Sequence, residues 1–179
     1  MKTRHVIIAL LVLGSWLGTA GAQVHRREPL TPAEIDQLRD TAMDPYARLK
    51  LFTHFARARL ASLEQARSDP KTTDRGQQTH DRLQEFVDIY DELNENIDNF
   101  IQRKEDMRRP LKPVIEADNE FQAKLLALKS AGDARPKEEE QYRFLLENAL
   151  ETVGTGLQDH RQLLDEQEEA AKHRRKGKS

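Results

Sequence analysis

Between Asp81 and Met107 the apolar residues recur at Leu83, Phe86, Tyr90, Leu93, Ile97 and Phe100, the alternating three-and-four spacing of a heptad seam. The same phase continues through Lys104 to Met107, so the stretch reads as one long amphipathic helix. Val87, Ile89 and Ile101 flank the seam and make the apolar stripe wider than a two-stranded zipper needs, which suits a helix covered by two or more neighbours. Asp81, Glu85, Asp88, Asp91, Glu92, Glu95 and Asp98 occupy the other side. Carboxylates that diverge from one convex face do not converge on a hard cation, so they read as a solvated face. The rest of the chain is expected to cover the seam.

Prolines punctuate that cover. Pro29 and Pro32, Pro45, Pro70, Pro110 with Pro113, and Pro136 cut the chain into helices over about 32–43, 45–67, 77–108, 114–130 and 136–171. Period-two runs of β-branched and aromatic residues are missing. The expected fold is all-α: an antiparallel up-down four-helix bundle with a short extra N-terminal helix and coiled-coil-like packing, formed by residues 31–171 as one domain. Thr31 and Glu34 bracket Pro32 as a capping box at the first helix start. The second helix carries Arg48, Lys50, Arg57, Arg59 and Arg67 against Glu64 alone, and it is expected to face the acidic long helix across a short loop. Such exposed pairs contribute about 0–1 kcal/mol each, so they select the neighbour more than they hold the fold. In the last helix Gly154 and Gly156 mark a kink or the close approach of another backbone, a kink being the expectation.

At the start of the chain, Lys2 and Arg4 precede an apolar run from Val6 to Leu17, and Ala20-Gly21-Ala22 follows. That is the order of a secretory signal peptide. Residues 1–22 are expected to be cleaved, 23–30 to form a linker, and the product to be exported to the periplasm or the cell exterior. Cleavage takes away Trp16, the only tryptophan, and leaves 27 basic against 31 acidic residues. This balance disfavours general nucleic-acid binding.

The chain has no cysteine, which excludes cysteine nucleophiles, zinc thiolate sites, iron–sulfur clusters and covalently attached haem. It has no glycine-rich phosphate loop, no nucleophile elbow and no His-Glu-x-x-His helix. The expectation is a non-catalytic protein without a cofactor. Two core-facing polar residues stand out. Asp118 sits on the apolar face of the 114–130 helix; close to that helix's start the dipole favours a carboxylate, and Asp118 is expected to be partly solvated and structural. His160 sits near Leu157, Leu163 and Leu164 and is expected to be a hydrogen-bonded boundary histidine, with axial haem ligation alongside Met107 as the competing use. Residues 172–179 read as a basic disordered tail in which Arg174, Arg175 and Lys176 are the candidate contacts to anionic lipid or polymer. Membrane contact is expected only through the leader or this tail.

Leu30-Thr31-Pro32-Ala33-Glu34 resembles the Leu-Thr-x-x-Gln motif of periplasmic stress proteins of the Spy and CpxP type, with Glu34 where that family has glutamine. The resemblance implies an exported, all-helical chaperone or stress-signal modulator, and with it metal or small-molecule handling. The chain is also similar to other exported helical proteins of bacteria, a likeness that implies no activity. From the residues themselves the expected function is interaction with a protein partner or a second copy of the chain. At 1.5 Å per residue the long helix would reach about 45 Å and the shortest of the four about 25 Å, leaving overhanging apolar flanks for such contacts.

Overall fold

The computed structural model describes residues 28–176. The expected leader, Trp16 and most of the 23–30 linker lie outside the described residues, as does the chain after Lys176. The described chain forms six helices packed against one another: α1 (Pro32–Arg39), α2 (Pro45–Ser68), α3 (Arg75–Gln102), α4 (Arg108–Asp133), α5 (Pro136–Glu139) and α6 (Arg143–Lys176). No strand occurs among the described residues.

Local chemistry sets the helix starts. Thr31 Oγ1 accepts from the Glu34 amide at 3.3 Å, and the Glu34 carboxylate accepts from the Thr31 amide at 2.8 Å, completing the capping box. The letters that carry the Spy-type resemblance thus do a local job. Glu34 also accepts from Arg59 at 2.7 and 2.8 Å, which ties α1 to α2. Asp44 caps α2 by accepting from the Ala47 amide at 3.0 Å, and α1 stops at Arg39, short of the expected 43.

The seam of α3 is buried as its spacing requires, with Leu83, Phe86, Tyr90, Leu93, Ile97 and Phe100 all in the core. Its end differs from expectation. The helix closes at Gln102 rather than 108, in a Schellman motif: the Glu105 amide bonds the Phe100 carbonyl at 3.1 Å and the Lys104 amide bonds that of Ile101 at 2.8 Å. Lys104 takes the left-handed conformation that glycine usually fills, with φ of 61°. Met107 then sits fully buried in the turn.

The next helix begins at Arg108 rather than 114, so the two prolines lie inside it. Pro110 falls in the first turn, where an amide has no intrahelical partner. Pro113 lies one turn further on and omits the bond to the Arg109 carbonyl. The expected single helix over 136–171 is two. The chain breaks over 140–142, where Tyr142 turns into the core, and α6 then runs unbroken through Gly154 and Gly156 to Lys176. Residues 172–176 are therefore helical, not a disordered tail.

Packing is uneven around the molecule. α2 lies closely along α3, α4 along α6, and α2 also meets α4, whereas the contact of α3 with α6 is thinner than any of these three. Cross-helix pairs run in opposite order along α2 and α3, from Arg67–Thr79 through Arg59–Glu85 to Arg48–Asn96. The same holds along α4 and α6, from Lys112–Glu168 to Arg161–Asn119. The basic α2 divides its ion pairs, since Arg57 and Glu64 pair with Glu120 and Lys124 of α4 at 2.7 and 2.6 Å. At the centre, the rings of Phe86 and Tyr90 each meet the edge of Phe121, with centroids 5.3 and 6.2 Å apart.

Candidate functional site

Because α4 starts at Arg108, Asp118 lies in its third turn, beyond the reach of the N-terminal dipole. It is 0% exposed, so the expectation of partial solvation is corrected. A carboxylate this deep is costly unless paired, and both oxygens are engaged. The Tyr90 hydroxyl donates to Oδ1 at 2.9 Å, and His160 Nδ1 lies 2.8 Å from Oδ2. His160 is itself buried, 4% exposed, rather than at the boundary. Burial, followed by the charge and hydrogen bond of Asp118, pushes the Tyr90 hydroxyl far above its ordinary pKa of 10.0 and keeps it a donor.

The two polar residues singled out in sequence, Asp118 and His160, therefore meet, and the third member comes from the seam. In the sequence Tyr90 reads only as a core residue of the seam. Gly156 makes the room, because a Cβ there would lie 2.4 Å from the Tyr90 hydroxyl oxygen. The close approach at Gly156 is thus a side chain and not another backbone, while a Cβ at Gly154 would meet nothing nearer than Gln122 Nε2 at 3.7 Å. An aspartate–histidine pair is the orienting half of a nucleophilic relay, but no serine or threonine hydroxyl bonds His160 among the described residues. The network joins α3, α4 and α6. Met107 is held elsewhere, its amide donating to Gln167 Oε1 at 2.7 Å, about 10 Å along α6 from His160.

His160 also lies at the wall of a groove between α3 and α6, about 560 Å³ in volume. Ile97, Ile101 and Leu163 give it apolar surface, and Asp98, Glu151 and Asp159 give it charge. Asn94, on the same wall, has a buried amide oxygen with no donor among the described residues. A second groove of about 990 Å³ runs along α3 past Asp88, Glu85 and Asp81, with Arg59 and Ser62 of α2 and the segment before α1 on its other side. Asn148 of α6 lines both, so this groove adjoins the furrow between α3 and α6. Acids read from sequence as a solvated face thus edge a concavity.

The remaining sequence candidates lie at the far end of α6. Arg174 and Lys176 are exposed, and Arg175 belongs to the same helical turn. Arg174 shares a cleft of about 260 Å³ with Lys104 and Arg108, and an adjoining cleft of about 400 Å³ is lined by Arg108, Arg109, Lys112 and Lys172. Asp106 lies in both clefts. The Arg108 side chain, hydrogen-bonding it, outweighs a small opposing effect of burial and holds its carboxyl at about 2. Arg103 reaches the Ala42 carbonyl at 3.5 Å and the Met43 sulfur at 3.8 Å, and Arg109 stacks on Tyr46 at 4.4 Å. The α1–α2 junction therefore shares this end. Five basic residues within 103–112 are its signal in the sequence, masked there by the division of the stretch between two expected helices.

Among the described residues, no group of three or more His, Cys, Asp or Glu side chains is arranged to hold a metal ion, and no helix is long and apolar enough to cross a membrane. Compared with family models, with curated proteins and with solved structures, the chain matches none, so nothing beyond residues 30–34 supports the likeness to Spy-type proteins.

Proposed function

We propose that this chain is an exported, non-catalytic protein that acts by binding a protein partner, on the frame of an antiparallel up-down four-helix bundle with coiled-coil-like packing. The observation that supports the reading is the furrow between α3 and α6, whose contact is thinner than those of α2 with α3, α4 with α6 and α2 with α4. Its apolar surface comes from Ile97, Ile101 and Leu163, and its edges are acidic at Asp98, Glu151 and Asp159. That combination suits an amphipathic segment with apolar anchors and flanking lysine or arginine. The acids would steer its approach, while affinity would come from the apolar contacts, since rim pairs contribute about 0–1 kcal/mol each.

The test is site-specific crosslinking of the exported chain in its own envelope, with a photoreactive residue at Glu151 or Thr155 in the furrow and at Ala123 on the outer side of α4. The expected result is a product from the furrow positions alone, containing a basic segment or a second copy, and lost when Asp98→Lys and Glu151→Lys are combined. Equal products from all three positions, or none from the furrow together with a strict monomer in light scattering, would reject the proposal.

A further inference from the structure

We propose that the end of the molecule built from the α3–α4 turn, the last turns of α6 and the α1–α2 junction docks on an anionic lipid bilayer. This goes beyond the protein-partner reading and uses none of the furrow residues. Three separate chain segments converge there. Residues 103–112 bring five basic side chains against two acids, and residues 170–176 bring Lys172, Arg174 and Lys176 and no acid. The helical state of 172–176 holds those cations beside the turn, as the shared cleft of Lys104, Arg108 and Arg174 shows.

Glu105 lies in the cleft with Lys104 and Arg174, and four further acids at this end are engaged. Asp44 caps Ala47, Asp106 is bound by Arg108, Glu168 lies 3.7 Å from Lys112, and Glu169 pairs with Lys172. Lys104, Arg109, Arg174 and Lys176 are exposed and form no salt bridge among the described residues. The chain as a whole carries a net charge of −2, so the positive field is local to this end.

A bilayer is favoured over an acidic polypeptide by one apolar residue. The cations come from separate segments and lie in two open clefts and on the exposed face beside them. Beside them stands Met43, 77% exposed, its sulfur within reach of Arg103. A flexible, unbranched apolar side chain projecting from a ring of cations can enter the interfacial layer while the cations stay among the headgroups. Basic side chains near a negatively charged bilayer each raise partitioning about fivefold, and salt screens the effect.

The experiment is sedimentation of the chain from Gln23 onward, which retains every described residue, with vesicles of phosphatidylcholine with and without phosphatidylglycerol. Binding is expected only with the anionic lipid, weakening as salt is raised. Lys104→Asn, which suits the left-handed backbone, Arg174→Gln and Lys176→Gln should each lower partitioning about fivefold. Met43→Ser should lower it further without changing the salt dependence. Lys129→Gln and Lys137→Gln, at the opposite end, should leave it unchanged. Equal binding to both vesicle types, no binding, or equal loss from the opposite-end variants would overturn the proposal. So would tighter binding to soluble polyglutamate that is indifferent to Met43→Ser, which would assign the end to an acidic polypeptide. Circular dichroism of each variant guards against unfolding, and crosslinking from the furrow is read independently.

Discussion

Gly154 and Gly156 lie two residues apart on α6, on different sides of the helix, and the structure gives them opposite roles. Alanine at 154 makes only an ordinary van der Waals contact with Gln122, so Gly154→Ala should stabilise the protein by up to about 1 kcal/mol through helix propensity. Alanine at 156 would drive a methyl group into the Tyr90 hydroxyl, so Gly156→Ala should cost about 1–3 kcal/mol despite the same propensity gain. Tyr90→Phe removes the nearest clashing atom, and a double-mutant cycle from urea midpoints should show a coupling of about 1 kcal/mol. Glu34 makes a pH prediction. Burial opposes its charge, but hydrogen bonds from Arg59 and Thr31 outweigh burial and hold its pKa below the ordinary 4.5. Its contribution is present above the unfolded value and fades as pH falls through the lower folded one. Wild type should therefore lose stability more steeply than Glu34→Gln as pH is lowered from about 5 to 3. Asp106 follows the same sign but is 58% exposed, so its effect should be small. Asp118 and His160 were each conspicuous in the sequence as polar residues on apolar faces. Their pairing was not legible, because 42 residues separate them and only the packing of α4 on α6 brings them together.

Helix interiors were readable and helix ends less so. The caps at Thr31 and Asp44 announce themselves through side-chain chemistry and proline, and the helices start there. The end of α3 does not, because its stop is made by backbone hydrogen bonds around a lysine, with no glycine or proline at the turn. Lys104→Gly should relieve the left-handed strain and, after the entropy cost of glycine in the unfolded chain, stabilise the protein by about 0.5–1 kcal/mol, read as a raised urea midpoint. The prolines misled in the other direction: 110 and 113 fall early enough in α4 for the helix to tolerate them. The break before α6 carries no glycine or proline either; it is marked instead by a tyrosine, Tyr142, that the core takes in.

At the scale of the molecule, the all-helical class followed directly from the three-and-four spacing of the seam, since every seam residue of α3 from Leu83 to Phe100 is buried. What the spacing could not show is that cover is unequal. An apolar stripe specifies that neighbours exist, not how closely each one lies, and the thin contact between α3 and α6 depends on side chains from both helices. The same limit hid the basic end, which is assembled from residues near 43, 104 and 174.

Among the described residues, Asp118 of α4 is a carboxylate to which α3 and α6 both attach. It works as a rivet: neither outer helix can slide along its axis without abandoning a bond to a buried charge. The amides around Tyr90 and His160 should consequently open to hydrogen exchange together, at a shared free energy, despite the sparse contact between their helices. Asp118→Ala should let them exchange at separate rates.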